Sequence, residues 1–278
     1  MKNKIYSMSS ASFAVFTVFL ISLGGCNSDK SQNVAHKNWQ LVWSDEFDGT
    51  SGTLPDASKW TYDFGNNSGW GNQELETYTN STNNVSLDGS GNLVITAKKV
   101  GNSFTSARIK TKDLFSQTYG RYEARLKTPY GPGIWPAFWM LGSDVDTNAW
   151  PQCGEIDIME LKGQQPNIVN GTIHGPGYSG GNAITASNAL YNNRYDADYH
   201  LFAVEWDANK IDFYVDDYLY QSIKKTDVTK RGEWVFDHSF FMILNVAVGG
   251  NYVGFPTTQT PFPQSMTIDY VRVYEEAN

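Results

Sequence analysis

The chain has 278 residues, of which 40% are hydrophobic and 18% are charged, so it can bury a sizeable core and does not have the composition of a disordered protein. Its aromatic content of 14%, with 25 glycines, favours an all-β fold. The net charge of −8 argues against nucleic acid as a partner, because a phosphate backbone needs a basic surface. Two distant cysteines exclude a disulfide scaffold and a cysteine-ligated zinc site.

The first residues have the pattern of an export signal. Two lysines precede an apolar stretch, residues 11–23, that is too short to span a bilayer comfortably. The stretch leads into Leu-Gly-Gly-Cys, ending at Cys26, which resembles a bacterial lipobox and implies lipid attachment to the cysteine sulfur. We therefore expect a lipoprotein signal peptide over 1–25, a polar tether over 26–38, and an exported protein anchored at the cell surface or in the periplasm. The alternative is an ordinary secretory signal with an accidental cysteine.

One β domain is predicted over residues 39–278. Short runs of β-branched and aromatic residues recur between Gly, Asn, Asp and Pro turns, as where Ile211, Phe213 and Val215 alternate with polar residues. No window has the apolar spacing of an amphipathic helix. The pattern favours a sandwich or jelly roll of antiparallel sheets. The clearest predicted strands cover residues 93–97, 199–206, 210–216, 240–247 and 266–274.

Three carboxylates are concentrated in the segment Glu-Ile-Asp-Ile-Met-Glu, residues 155–160. Alternation in a strand puts Glu155 and Asp157 on one face. The same count would turn Glu160 into the core, where an ionised carboxylate is very costly. One inserted residue, a β-bulge between Asp157 and Glu160, returns Glu160 to the face of Glu155.

Such an arrangement predicts hydrolysis of a glycosidic bond with retention. Four strand steps separate the two glutamate backbones by roughly 13 Å, and inclined side chains would leave a gap of about 5 Å between the carboxyl groups. That separation suits one carboxylate that attacks the anomeric carbon and one that protonates the leaving oxygen, whereas inverting pairs need about 6.5–9.5 Å. We expect at least one of the three pKa values to be raised towards neutrality. An exposed acidic strand face or a calcium site is the alternative, but calcium also recruits loop carbonyl oxygens.

This segment resembles the signature of glycoside hydrolase family 16, in the longer form that contains Met159. Further motifs that are similar to laminarinase-type members (endo-β-1,3-glucanases) follow in the family's order across essentially the whole domain. They are Trp43-Ser-Asp-Glu-Phe47, Trp70-Gly-Asn-Gln-Glu-Leu-Glu-Thr-Tyr78, Tyr119-Gly-Arg-Tyr-Glu123, Gly133-Ile-Trp-Pro-Ala-Phe-Trp-Met-Leu141, Gly171-Thr-Ile-His174, Leu244-Asn-Val-Ala-Val-Gly-Gly250 and Ile268-Asp-Tyr-Val-Arg-Val-Tyr274.

The resemblance implies a concanavalin A-like jelly-roll sandwich of two antiparallel sheets with a concave substrate cleft. It implies Glu155 as nucleophile, Glu160 as general acid/base and Asp157 as the residue that tunes their protonation, with no cofactor required for catalysis. The expected activity is double-displacement hydrolysis of internal β-1,3 bonds in laminarin-type β-glucans, by a monomer. Alternatives are a non-catalytic β-glucan-binding surface lipoprotein, or a family 16 hydrolase of mixed-linkage glucan or agarose-type galactan. Tyr252 stands where relatives often place a tryptophan.

Six residues are candidates for holding the sugar. Tryptophan offers a rigid apolar platform to the apolar face of a sugar ring, and two tryptophans flank Ala137 on one face of a predicted strand. Trp70 and Asn72 lie in a Gly-rich loop, Arg108 precedes an alternating run, and His174 ends a predicted strand. Each candidate also has a structural explanation, for example as a core aromatic, a turn residue or a surface ion pair. The candidates are Trp70, Asn72, Arg108, Trp135, Trp139 and His174.

A structural calcium ion is a further implication of the family resemblance. The matching positions are Glu46 and Gly91, through backbone carbonyls, and Asp269. Such an ion would lie on the convex side, away from catalysis.

Overall fold

Alternating side chains build two stacked sheets in the computed structural model, which describes residues 37–277. The ten-stranded sheet has the order β15-β14-β13-β8-β17-β5-β6-β3, with β1 paired to β17 and β4 to β5. Its strands are β1 Trp39–Asp45, β3 Glu76–Tyr78, β4 Val85–Leu87, β5 Leu93–Val100, β6 Ser103–Ser106, β8 Gly120–Lys127, β13 His200–Trp206, β14 Lys210–Val215, β15 Tyr218–Lys224 and β17 Gln264–Glu276.

The seven-stranded sheet carries the candidate site and has the order β12-β11-β10-β9-β16-β7-β2. Its strands are β2 Thr61–Tyr62, β7 Arg108–Lys110, β9 Ile134–Gly142, β10 Glu155–Leu161, β11 Ile168–His174, β12 Ile184–Ala189 and β16 Phe240–Val248. We call the face of this sheet that points away from the core the cleft face. The helices are short: α1 at Lys225–Val228 and 3-10 turns at Asn67–Gly69 and Gly180–Asn182.

The core lies between the inner faces of the two sheets. Ile211, Phe213 and Val215 are buried in it, as the alternation of β14 predicts, and Ile156 enters it from β10. The predicted all-β jelly-roll sandwich is confirmed, and the five strands predicted most clearly are present. The pairing departs from the prediction in one place, because β3 runs parallel to β6.

The domain predicted from residue 39 begins with β1 at Trp39. The predicted signal peptide and Cys26 lie outside the described residues, so that division of the chain stays a prediction. Within residues 37–277, no helix has the length and apolar character needed to cross a bilayer. Cys153, inside that range, is a buried free thiol.

Candidate active site

A bulge in β10 puts all three carboxylates on the cleft face. The register of β10 shifts after Asp157 against both β9 and β11. Ile158 and Met159 are consequently both buried, with 1% and 0% exposure, and neither faces the cleft. Glu160 regains the face of Glu155, so the predicted bulge is confirmed, and its physical reason is the cost of an ionised carboxylate in the core.

A row of side chains crosses the cleft face at the level of Glu160. In successive strands from β12 to β7 its members are Ser187, Asn170, Glu160, Ala137, Asn245 and Arg108. Five of the six carry a polar side chain, and the sixth, Ala137, is small and leaves space beside Glu160. The row therefore places hydrogen-bonding groups on both sides of Glu160 across the cleft face.

Two tryptophan indoles donate hydrogen bonds to the two glutamates. Trp135 Nε1 lies 3.0 Å from Glu160 Oε1, and Trp150 Nε1 lies 2.5 Å from Glu155 Oε2. Both bonds favour the ionised form of the acceptor carboxylate. Sequence alone leaves Trp150 undecided between cleft wall and packing; its indole contacts the predicted nucleophile, and its side chain is 46% exposed.

His174 directs its Nε2 towards the carboxylates. The backbone N–H of Gly180 donates to Nδ1 at 3.1 Å, which leaves the proton on Nε2. Nε2 lies 3.1 Å from Asp157 Oδ2 and 4.0 Å from Glu155 Oε1. These three residues are the one group within residues 37–277 whose ligand-type atoms lie within 4.8 Å of one another. A protonated Nε2 has no lone pair to offer a metal, so the group suits proton chemistry better than metal binding.

Burial raises the pKa of all three carboxyl groups. The pKa of Glu155 rises to about 8, through burial and then through repulsion by Asp157. The pKa of Glu160 rises to about 7, through burial and then repulsion by Glu155, and the pKa of Asp157 lies well above its usual range, chiefly through burial. The expectation of at least one raised pKa is confirmed.

The proton on Asp157 decides which glutamate is charged. Taken alone, the two values would leave Glu155 protonated longer than Glu160, the reverse of what a nucleophile needs. However, burial holds the pKa of Asp157 well above its usual range, and a neutral Asp157 no longer repels Glu155 and has a proton to donate to a Glu155 carboxylate. We therefore assign the retained protons to Asp157 and Glu160, and the negative charge to Glu155.

A chain of hydrogen bonds links two of the predicted sugar-binding residues. Trp139 Nε1 donates to Asn245 Oδ1 at 2.7 Å, and Asn245 Nδ2 donates to the Tyr78 hydroxyl at 3.2 Å. That hydroxyl donates to Glu74 Oε2 at 3.3 Å, and Asn72 Nδ2 donates to Glu74 Oε1 at 3.1 Å. The chain fixes Asn72 and Trp139 relative to each other at one end of the cleft face.

Arg108 is part of a buried cluster at this end. Its guanidinium lies 3.9 Å from the centre of the Trp70 ring, and its Nε donates to Asp63 at 2.7 Å. The alternative of a surface ion pair is thus half right: the ion pair exists, but Arg108 is only 9% exposed. Trp70 takes its place through a left-handed backbone conformation, φ 51°, directly after a 3-10 turn. Sugar binding by these residues stays a prediction.

The proposed calcium positions fit an ion only in part. The Glu46 carbonyl oxygen and Asp48 Oδ1 lie 3.9 and 3.8 Å from the point where a Cβ on Gly91 would stand, so these backbone segments meet. Asp269 Oδ2, however, accepts a hydrogen bond from Arg125 at 2.5 Å. An ion here would compete with Arg125 for Asp269.

The fold and the carboxylates on its cleft face define a β-sandwich glycosidase. Residues 72–272 match the family described as Glycosyl hydrolases family 16, and the chain belongs to this family. It is 41% identical over 272 residues to a β-glucanase of Rhodothermus marinus, with 93% of each chain covered. It is 40% identical over 265 residues to glucan endo-1,3-beta-glucosidase A1 of Niallia circulans, with 85% of this chain and 38% of that protein covered. The laminarinase catalytic domain of Thermotoga maritima MSB8 superimposes with a TM-score of 0.82 at 46% identity, covering 87% of this chain and all of that one.

Proposed function

We propose that the protein is a retaining endo-β-1,3-glucanase of laminarin-type glucans. The observation that carries this proposal is the bulge of β10, which places Glu155, Asp157 and Glu160 on the cleft face with raised pKa values. The named activities of the similar proteins support the β-1,3 linkage.

In the first step, a Glu155 oxygen forms a bond to the anomeric carbon while the bond from that carbon to the glycosidic oxygen breaks. Glu160 gives its proton to the departing oxygen, so the leaving sugar departs as a neutral alcohol. Trp150 holds the Glu155 carboxylate in place with a donated hydrogen bond, and a protonated Asp157 can donate a second one. The product is a glycosyl ester on Glu155.

In the second step, the Glu160 carboxylate takes a proton from a water molecule, whose oxygen attacks the anomeric carbon. The ester bond breaks, Glu155 leaves as a carboxylate, and Glu160 is protonated again. Two inversions at one carbon give net retention. The gap of about 5 Å between the carboxyl groups, which the strand geometry predicts, is too short to admit the water needed for direct inversion.

Release of reducing ends from laminarin, curdlan, lichenan and agarose tests the proposal. We expect strong release from laminarin by residues 39–278 and a loss of at least about a thousandfold in Glu155→Gln, whose amide is not a nucleophile. Release from agarose or lichenan alone would keep the mechanism and overturn the substrate. Laminarin binding without hydrolysis by the wild-type protein would make it a glucan-binding protein.

We further propose that the mature protein is a monomer attached to a membrane through lipid at Cys26. The lipobox-like sequence before Cys26 supports the anchor. Incorporation of labelled palmitate, lost in Cys26→Ser, is the expected result; export without labelling would favour an ordinary secretory signal. Light scattering of the soluble domain checks the monomer.

A structural calcium ion at Glu46, Gly91 and Asp269 is also proposed, on the meeting of the first two segments. Calorimetry with calcium and with chelator tests it. An unchanged melting temperature would contradict the site.

A further inference from the structure

Lys162 follows the end of β10 and shares the face of Glu160. Strand alternation puts residues two apart on one face, and Leu161 between them is fully buried. Their backbones are about 7 Å apart. Among residues 37–277, Lys162 forms no ion pair with a carboxylate, although the chain carries more acidic than basic residues.

The Lys162 ammonium is instead placed over an aromatic ring. Its Nζ lies 4.4 Å from the centre of the Tyr252 ring, within cation–π distance. The Tyr252 ring lies 5.0 Å from Trp135, whose indole donates to Glu160 Oε1. The Tyr252 hydroxyl accepts a hydrogen bond from Asn170 at 2.7 Å, which fixes the ring from the other side of Glu160. A continuous set of contacts thus runs from the ammonium to the acid.

We propose that Lys162 is a positioning residue for Glu160. Its ammonium packs on Tyr252 and stabilises the Tyr252–Trp135 ring pair, which keeps the Trp135 indole hydrogen-bonded to Glu160. The ammonium also adds a positive charge near the Glu160 carboxyl group. The inference rests on the proposed function for the role of Glu160. Lysine and tyrosine act here as a pair, because a cation–π contact with the Tyr252 ring holds the ammonium near Glu160 without an ion pair to any carboxylate among residues 37–277.

The charge of Lys162 acts within a larger set of groups around Glu160. Burial and the negative charge of Glu155 raise the pKa of Glu160, whereas His174, the hydrogen bond from Trp135 and the charge of Lys162 lower it, in that order. The titratable groups that face Glu160 come from its own strand, from β11, from β15 and from the segments after β10 and β16; they are Glu155, Asp157, His174, Tyr220, Lys162 and Tyr252. Lys162 is the one lysine or arginine of this set.

The pH profile of kcat/KM on laminarin tests the proposal, because its basic limb reports the acid of the free enzyme. Lys162→Met keeps much of the side chain's bulk and removes the charge. We expect its basic limb to move upward by about half a pH unit at low salt, as one charge at this separation predicts, and by less at high salt. Lys162→Arg keeps both the charge and the stacking and should restore the wild-type limb. Tyr252→Leu, which removes the aromatic ring under the ammonium, should shift the basic limb in the same direction as Lys162→Met.

A titration of the Glu160 carboxyl group by carbon NMR, without substrate, gives a second readout. The proposal is overturned if Lys162→Met leaves both the basic limb and this titration unchanged, even where the rate falls, because a lower rate alone indicates a structural role. If the wild-type protein hydrolyses no glucan, the proposed function fails, while the titration still decides the role of Lys162.

Discussion

The hydrogen bond from Trp150 to Glu155 makes a quantitative prediction about acid pH. Trp150→Phe removes the indole N–H that lies 2.5 Å from Glu155 Oε2 and keeps an aromatic ring beside His174, where the ring centres are 5.9 Å apart. A hydrogen bond to a charged group contributes about 1.5–3 kcal/mol. Because Trp150 is 46% exposed, water can replace part of the hydrogen bond that the variant loses. We therefore expect a net loss of about 1.4 kcal/mol, which corresponds to one pKa unit.

The sign follows from which form accepts the bond. The N–H stabilises the Glu155 carboxylate and lowers its pKa, so its loss raises that pKa. Since attack needs the carboxylate, the acidic limb of kcat/KM should move upward by about one unit, with about a tenfold loss well below the limb and little change on the plateau.

The assay is the pH dependence of kcat/KM on laminarin for the wild type and two variants. Trp234→Phe is the matched control, because Trp234 donates its N–H to Asp237, a carboxylate outside the site. We expect its acidic limb to match the wild type. An unmoved limb in Trp150→Phe, or one that moves downward, would refute the assignment of Trp150 as a stabiliser of the charged nucleophile.

Two further predictions concern stability. Gly171→Ala should lower the free energy of unfolding by about 1–3 kcal/mol through overpacking, since a Cβ at this position would meet a tyrosine hydroxyl at 2.3 Å. Gly181→Ala is the control and should leave stability unchanged, because no atom lies within 4 Å of its Cβ position. Thermal unfolding tests the pair, and equal melting temperatures would contradict the packing argument. Burial raises the pKa of Glu76 from 4.5 to about 8, so the folded state holds a proton that the unfolded chain releases, and this contribution to stability is lost as pH rises from about 4.5 through 8. Glu76→Gln should therefore be more stable than wild type by about 2 kcal/mol at pH 8 and show no comparable gain at pH 5; a gain independent of pH would contradict a buried charge as its cause.

The active strand could be predicted from sequence because a strand has a simple rule of alternation. Glu155 and Asp157 obey it directly, and Glu160 violates it in a way that only an inserted residue repairs at low cost. The insertion could be placed between Asp157 and Glu160, but the burial of both Ile158 and Met159 depends on the register against two neighbouring strands.

The surroundings of the carboxylates were not predictable in the same way. Trp150 lies in a loop, and nothing in the spacing of a loop fixes where an indole N–H points. The chain of hydrogen bonds from Asn72 to Trp139 passes through Glu74, Tyr78 and Asn245. These residues come together only when the sheet has folded. The sequence motifs of the family contain several of these residues, yet local patterns carry no information about pairs so far apart in the chain.

The three raised pKa values serve the proposed reaction because each of its states needs one negative charge among the carboxyl groups. Before attack the charge is on Glu155; after it, Glu155 is an uncharged ester and Glu160 carries the charge; hydrolysis returns it to Glu155. In the proposed reaction the proton stays on Asp157, because burial holds its pKa well above the usual range, and this proton can be donated to Glu155 whenever that group is charged. Mutual repulsion and burial penalise a second charge, while the donors Trp150 and Trp135 support the single charge at either end of its path. Burial that would destabilise a fully ionised cluster thus selects the charge state that both steps require.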